Sequence, residues 1–172
     1  TQSGILTVDN TAPTLTAVTV TPDAFSPNGD TVRDATTIAF NSNEAGTFSV
    51  NVINAGSVIV RHIGPSALVA GLNSAVWNGR NDANVLVPDA FYTVEIRATD
   101  SAGNLQTAQR SVLVDTQQPA APSLVSPADN AILNVSPSFN WLAASDPSPS
   151  SGVLYDLIIT NVGTATTSTI AD

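Results

Sequence analysis

Tyr92-Thr93-Val94-Glu95-Ile96-Arg97-Ala98-Thr99 is the stretch that decides the fold class: Tyr, Val, Ile and Ala share one parity, while Thr, Glu, Arg and Thr take the other. Successive side chains of a strand point to opposite faces, so this alternation predicts a half-buried antiparallel strand with one dry and one wet face. Phe48-Ser49-Val50-Asn51-Val52 repeats the pattern. Working outward, further strands are expected at residues 15–20, 36–40, 58–63, 75–78 and 106–114. Asn54-Ala55-Gly56, Asn78-Gly79 and Asp100-Ser101-Ala102-Gly103-Asn104 supply turn chemistry between them. No segment carries the i, i+3, i+4, i+7 apolar spacing of an amphipathic helix.

About seven short strands in roughly 100 residues is the pattern of an immunoglobulin-like β-sandwich, so the chain reads as all-β. An internal echo suggests the boundaries. Ile5-Leu6-Thr7-Val8-Asp9-Asn10-Thr11-Ala12-Pro13 is similar to Val112-Leu113-Val114-Asp115-Thr116-Gln117-Gln118-Pro119, one sandwich length further on. Each reads as a last strand followed by a Pro-stiffened linker. Residues 1–13 are then the closing strand of a preceding module plus linker, residues 14–116 one complete sandwich, and residues 117–172 the start of another. In that last part, Ser138-Phe139-Asn140-Trp141 and Val153-Leu154-Tyr155-Asp156-Leu157-Ile158-Ile159 are expected strands, each with a core face, and residues 146–152 a Pro/Ser loop. It is too short for a full sandwich. Thr1 rather than Met heads the chain, which reads as a processed product or an excised piece.

Composition narrows the function. Of 172 residues, 42 % are hydrophobic and only 11 % charged, which excludes a charged, core-poor disordered chain. Fourteen acidic residues against five basic ones, a net charge of −9, exclude a phosphate-tracking nucleic-acid surface. The apolar runs are too short for a membrane helix. There is no Cys and no Lys, so disulfides, thiolate metal sites, thiol nucleophiles and Schiff bases are all ruled out. The basic residues are Arg33, Arg61, Arg80, Arg97 and Arg110.

Phe25-Ser26-Pro27-Asn28-Gly29-Asp30, Arg33-Asp34, Thr36-Thr37-Ile38, Trp77-Asn78-Gly79-Arg80-Asn81-Asp82, Val87-Pro88-Asp89, Phe91-Tyr92 and Asp100-Ser101-Ala102-Gly103-Asn104 follow one another in the order of a known pattern. Through them, the complete module resembles the Ig-like domain of the flagellar-hook-capping-protein type found in bacterial surface and secreted proteins. Asn84 and Ala90 stand where that pattern has Gly; Asn tolerates the left-handed region, and Ala90 implies a locally altered turn. The Pro-rich start, the Phe139-x-Trp141 strand and the Tyr155-x-Leu157-x-Ile159 strand resemble the first half of a fibronectin type III-like domain. Together they imply tandem Ig-like and fibronectin type III-like β-sandwiches, the second incomplete, in an extracellular or cell-surface setting.

The candidate site is the loop at residues 28–34. Asn28, Asp30 and Asp34, with Asp23 just upstream and the Val32 carbonyl, place oxygen donors around a Gly bend in the manner of acidic calcium loops. Ca2+ is the one cofactor these residues call for. The alternative is a corner closed by Asx-turns, with Asp30 or Asp34 bonding backbone amides or Arg33. Asn81, Asp82, Asn84 and Asp89 form a second oxygen-rich loop that reads as a long turn. Asp100 with Asn104 reads as a turn cap. His62 is the only imidazole, on a strand with no nucleophile motif, and reads as an ordinary strand residue. Glu95 and Arg97 suggest a surface cross-strand pair. The aromatics fall mostly on core parity and read as buried anchors. Asn134-Val135-Ser136 fits a glycosylation sequon.

No catalytic constellation can be drawn. The function expected is a non-catalytic spacer or adhesion module of a large bacterial surface protein, whose partners are neighbouring Ig-like modules. Two alternatives stay open: a filament, sheath or surface-layer subunit joined head-to-tail, with residues 1–8 donated to the next copy's last module, and a glycan-binding accessory module of a secreted hydrolase.

Overall fold

The computed structural model describes residues 8–133, 136–147 and 152–171. The head of the expected donor strand at residues 1–8, the first two residues of the sequon and most of the Pro/Ser loop therefore lie outside the described residues. The chain divides into two compact units, Thr1–Thr116 and Gln117–Asp172. Among the described residues all regular structure is β, and no helix is long and apolar enough to cross a membrane.

Eight strands build the first unit: β1 (Leu15–Thr21), β2 (Ala24–Phe25), β3 (Thr36–Ser42), β4 (Gly46–Ile53), β5 (Ile59–Leu68), β6 (Gly71–Trp77), β7 (Ala90–Asp100) and β8 (Leu105–Val114). They form a three-stranded sheet, β1-β3-β6, and a five-stranded sheet, β2-β8-β7-β4-β5. The alternating stretches behave as their parity requires. Tyr92, Val94, Ile96 and Ala98 of β7 and Phe48, Val50 and Val52 of β4 are buried, facing Ile38 and Phe40 of β3 and Trp77 of β6 in one core. Trp77 is 1 % exposed and meets Phe25 and Tyr92 edge-on at 5.4 Å each. Its indole N–H donates to the Arg80 carbonyl, and the Tyr92 hydroxyl donates to the Pro88 carbonyl at 2.8 Å. A Tyr near the start of its strand bonding the backbone a few residues upstream is the tyrosine corner of Ig-like sandwiches.

Four elements of the first unit differ from expectation. β2 is two residues long and pairs in parallel with β8, too short for alternation to reveal. β6 begins earlier than expected because Asn73 takes a core position; its amide is satisfied by both polar groups of Val69 and by the Gly71 carbonyl. β5 runs on through Gly64-Pro65, with register shifts against β4 on either side of the Val50–Val52 pairing. Ala90 opens β7 opposite Val114 rather than forming a turn. Asn84 does adopt φ 60°, the left-handed conformation expected of it.

The second unit holds β9 (Ser123–Ser126) paired with β10 (Asn140–Leu142), and β11 (Asp156–Asn161) paired with β12 (Thr166–Ala171). Its intended core residues are less covered. Phe139, Tyr155 and Leu157 are half-buried, while Trp141 and Ile159 are each 40 % exposed. Trp141 and Tyr155 are in ring contact at 5.7 Å.

Candidate functional site

The loop at residues 28–34 is held by its own side chains. Asp34 accepts the Gly29 amide on Oδ1 (2.7 Å) and the Thr31 amide on Oδ2 (2.8 Å). Asp30 Oδ1 accepts the Val32 amide, and Asn28 Oδ1 accepts the Asp30 amide while its Nδ2 donates to Asp30 Oδ2. These short-range bonds let Thr31 and Arg33 sit at positive φ. The loop is pinned to the sandwich where Pro27 lies over Gly79, which has φ +71° and leaves no room for a Cβ against the Pro27 ring. Pro27, Asn28, Asp34, Asn78 and Arg80 enclose a shallow depression of about 240 Å³. Asp23 serves the fold through its carbonyl, which accepts the Leu113 amide. Among the described residues, no group of three carboxylate or imidazole ligand atoms includes Asp23, Asp30 or Asp34.

Side chains of the second oxygen-rich loop also bond within the fold. Asn81 Oδ1 accepts the Val85 amide, Asp82 Oδ1 accepts the His62 amide and lies 3.6 Å from the Arg61 guanidinium, and both oxygens of Asp89 accept the Thr116 hydroxyl. Asp100 Oδ1 takes the Ala102 and Asn104 amides, and its Oδ2 takes the Asn104 side-chain amide. The Asn104 side chain, followed by the backbone amides, holds the Asp100 carboxyl below the ordinary carboxylate range against the opposing effect of burial.

Sequence reasoning missed two arrangements. Asp9, Glu44 and Asp100 each bring a carboxylate oxygen within 4.8 Å of the others, from the leading segment, the β3–β4 turn and the end of β7. No local motif unites them, although the Val-Asp echo marks Asp9. The other is a polar row across the wet face of the larger sheet. His62 Nδ1 bonds Asn51 Oδ1 (2.8 Å), Asn51 Nδ2 donates to Glu95 Oε1 (3.2 Å), and Gln109 Nε2 donates to Glu95 Oε2 (3.2 Å). Arg97 pairs with Glu95 at 3.3 Å along the same strand, rather than across strands. Glu95 is thus surrounded by donors and His62 is tied to an amide. A further depression of about 330 Å³, walled by Val60, Leu86, Val87, Pro88 and Tyr92, has no carboxylate or imidazole in its lining.

The two ends of the first unit are anchored at opposite poles. Asn104 Nδ2 donates to the Asp9 and Thr11 carbonyls, Thr14 N–H donates to Asn43 Oδ1 (2.7 Å), and Pro13 is buried between. At the other pole Val114 pairs with Ala90, the Asp115 amide donates to the Phe25 carbonyl, and Thr116 bonds Asp89. β7 spans the interval from Ala90 to Asp100, about 33 Å at ~3.3 Å per residue.

No protein-family profile matches the chain. Over 178 aligned residues it is 29 % identical to chitinase A1 of Niallia circulans; the alignment covers 95 % of this chain and 22 % of that enzyme. The chain thus spans about a fifth of its curated relative's length. Among solved structures it is similar to FlgD from P. aeruginosa (TM-score 0.42, 20 % identity, 53 % of this chain and 68 % of that one). It is also similar to FlgD from Xanthomonas campestris, described with hook capping in flagellar assembly (TM-score 0.39, 19 % identity, 65 % and 75 % covered).

Proposed function

We propose that this chain is a non-catalytic structural segment of a larger extracellular protein, in which the first sandwich acts as a spacer. One observation carries the reading: the incoming chain is clamped at the Asp100 end of β7 and the outgoing chain at the Ala90 end, so the sandwich separates them by its full length. The clamps use buried or backbone-bonded groups, which hold direction as well as distance. Burial of Trp77, Phe40 and Ile38 between the sheets leaves the unit's interior filled by apolar side chains. Single-molecule pulling on residues 9 and 116 tests this. One cooperative unfolding event is expected, at a force typical of shear-loaded sandwiches; gradual low-force extension would remove the spacer role.

A second reading, glycan binding, draws on a separate observation. Trp141 is 40 % exposed beside Tyr155 and borders a groove of about 160 Å³ with Pro122, Leu124 and Leu157. Exposed aromatic faces can stack on sugar rings, and the similarity to a chitinase makes chitin oligosaccharides the ligand to try. Tryptophan fluorescence titration should show saturable quenching that Trp141→Ala abolishes; no change up to millimolar sugar ends this reading.

A further inference from the structure

Sheet edges expose unpaired backbone groups, and proteins commonly block them with charge, proline, bulges or brevity. Three edges of the first unit carry such blocks. β2 is two residues long. β5 contains Arg61, His62 and Pro65 and shifts register twice against β4. β1 breaks register between Thr16 and Thr19, with Ala17 at φ 48°, and the Arg110 guanidinium takes the Val18 carbonyl at 3.0 Å.

β6 carries none of them. It pairs with β3 through seven consecutive residues without a shift, and among the described residues no strand pairs with its other side. Asn73 and Trp77 are buried toward the core, whereas Leu72 (70 % exposed), Ser74 and Val76 (59 % exposed) face outward. The whole β1-β3-β6 sheet contains no charged residue, on a chain with net charge −9.

We propose that β6 is a lateral pairing edge whose occupant is β6 of a second copy, running antiparallel about Ser74. In that register Leu72 lies opposite the second copy's Val76, and Ser74 opposite its own counterpart, so the exposed side chains form two apolar cross-strand pairs. The pairing is two-fold and closes on itself. It joins two charge-free sheets, so no ion loses its water at the contact, and the remaining repulsion between two acidic bodies is long-range and screened by salt. An association of this kind strengthens as salt rises, the opposite of one driven by charge attraction. The inference is independent of the spacer role: it concerns how copies align side by side, not how each spans its length.

The test uses the whole chain in sedimentation velocity, together with cysteine crosslinking, for which the absence of native Cys leaves a clean background. A monomer–dimer equilibrium is expected, shifted toward dimer between 50 and 500 mM NaCl and lost in Val76→Lys with the melting temperature unchanged. Under mild oxidation Ser74→Cys should give a covalent dimer, since directly opposed strand residues lie within disulfide reach. Leu72→Cys alone should not, whereas mixing Leu72→Cys with Val76→Cys should. A chain that stays monomeric at all salt concentrations overturns the proposal, as does a dimer that survives Val76→Lys or crosslinking that is equal at every position.

Discussion

Trp77 and Trp141 both sit on short strands that were expected to turn them inward, yet one is 1 % exposed and the other 40 %. The difference lies in what faces each strand. Trp77 projects from the small sheet onto Phe25 and Tyr92 of the larger one, so alternation on both sheets converges on a shared interior. The second unit's described strands form two separate two-stranded ribbons, with Leu124, Leu142 and Ile158 also exposed. Parity tells a strand which face is apolar; only an opposing sheet makes that face buried.

This contrast is open to direct attack. Trp77→Ala should cost about 3–5 kcal/mol, the usual loss for a large buried aromatic, with a correspondingly lower denaturation midpoint for the first unit. Trp141→Ala should cost well under half of that; equal losses would mean the second unit is as closed as the first. The same comparison applies to corner bonds. Asp34→Ala removes the acceptor of two backbone amides and should cost about 1–2 kcal/mol, to the same extent with calcium or with chelator. A calcium-dependent rise in melting temperature that Asp30→Ala abolishes would instead establish the cation at Asn28, Asp30 and Asp34.

The two tyrosines sharpen the contrast further. The Tyr92 hydroxyl donates to Pro88, whereas that of Tyr155 accepts the Ala144 amide at a half-buried position. Tyr92→Phe should cost about 1 kcal/mol and Tyr155→Phe less. Burial, then the nearby Asp89 charge, raises the Tyr92 pKa. The folded state therefore holds this proton more tightly, and stability falls as pH rises above the ordinary tyrosine value; Tyr92→Phe should flatten that alkaline limb. Asp100 has the opposite sign. Its lowered pKa gives stability that is present above the ordinary carboxylate range and lost as pH falls through the folded value. Asp100→Asn should show the smallest effect of the series, a shallower acid limb in a pH-dependent melt.

Most of the first sandwich was legible because its strands alternate cleanly, as at 92–99 and 48–52. What was missed has specific causes. Asn73 breaks the alternation of β6 because an internal polar side chain, once fully bonded, substitutes for an apolar one. Asn51 lies on the wet parity yet is buried beneath its bonds to His62 and Glu95. The residue 28–34 loop was visible as an oxygen-rich bend, with a cation and an Asx corner as its two readings; in the structure Asp34 and Asp30 accept backbone amides within it. The Asp9, Glu44 and Asp100 convergence was invisible because only the folded ends of the sheets bring it about.

The spacer account depends most on the incoming and outgoing chain being fixed at opposite poles of the first sandwich. Spin labels on Val8→Cys and Phe91→Cys, both at exposed positions, report that separation by double electron–electron resonance. The account predicts one narrow distribution centred at roughly 30–40 Å, from the length of β7. A broad distribution, or one centred below about 20 Å, would contradict it.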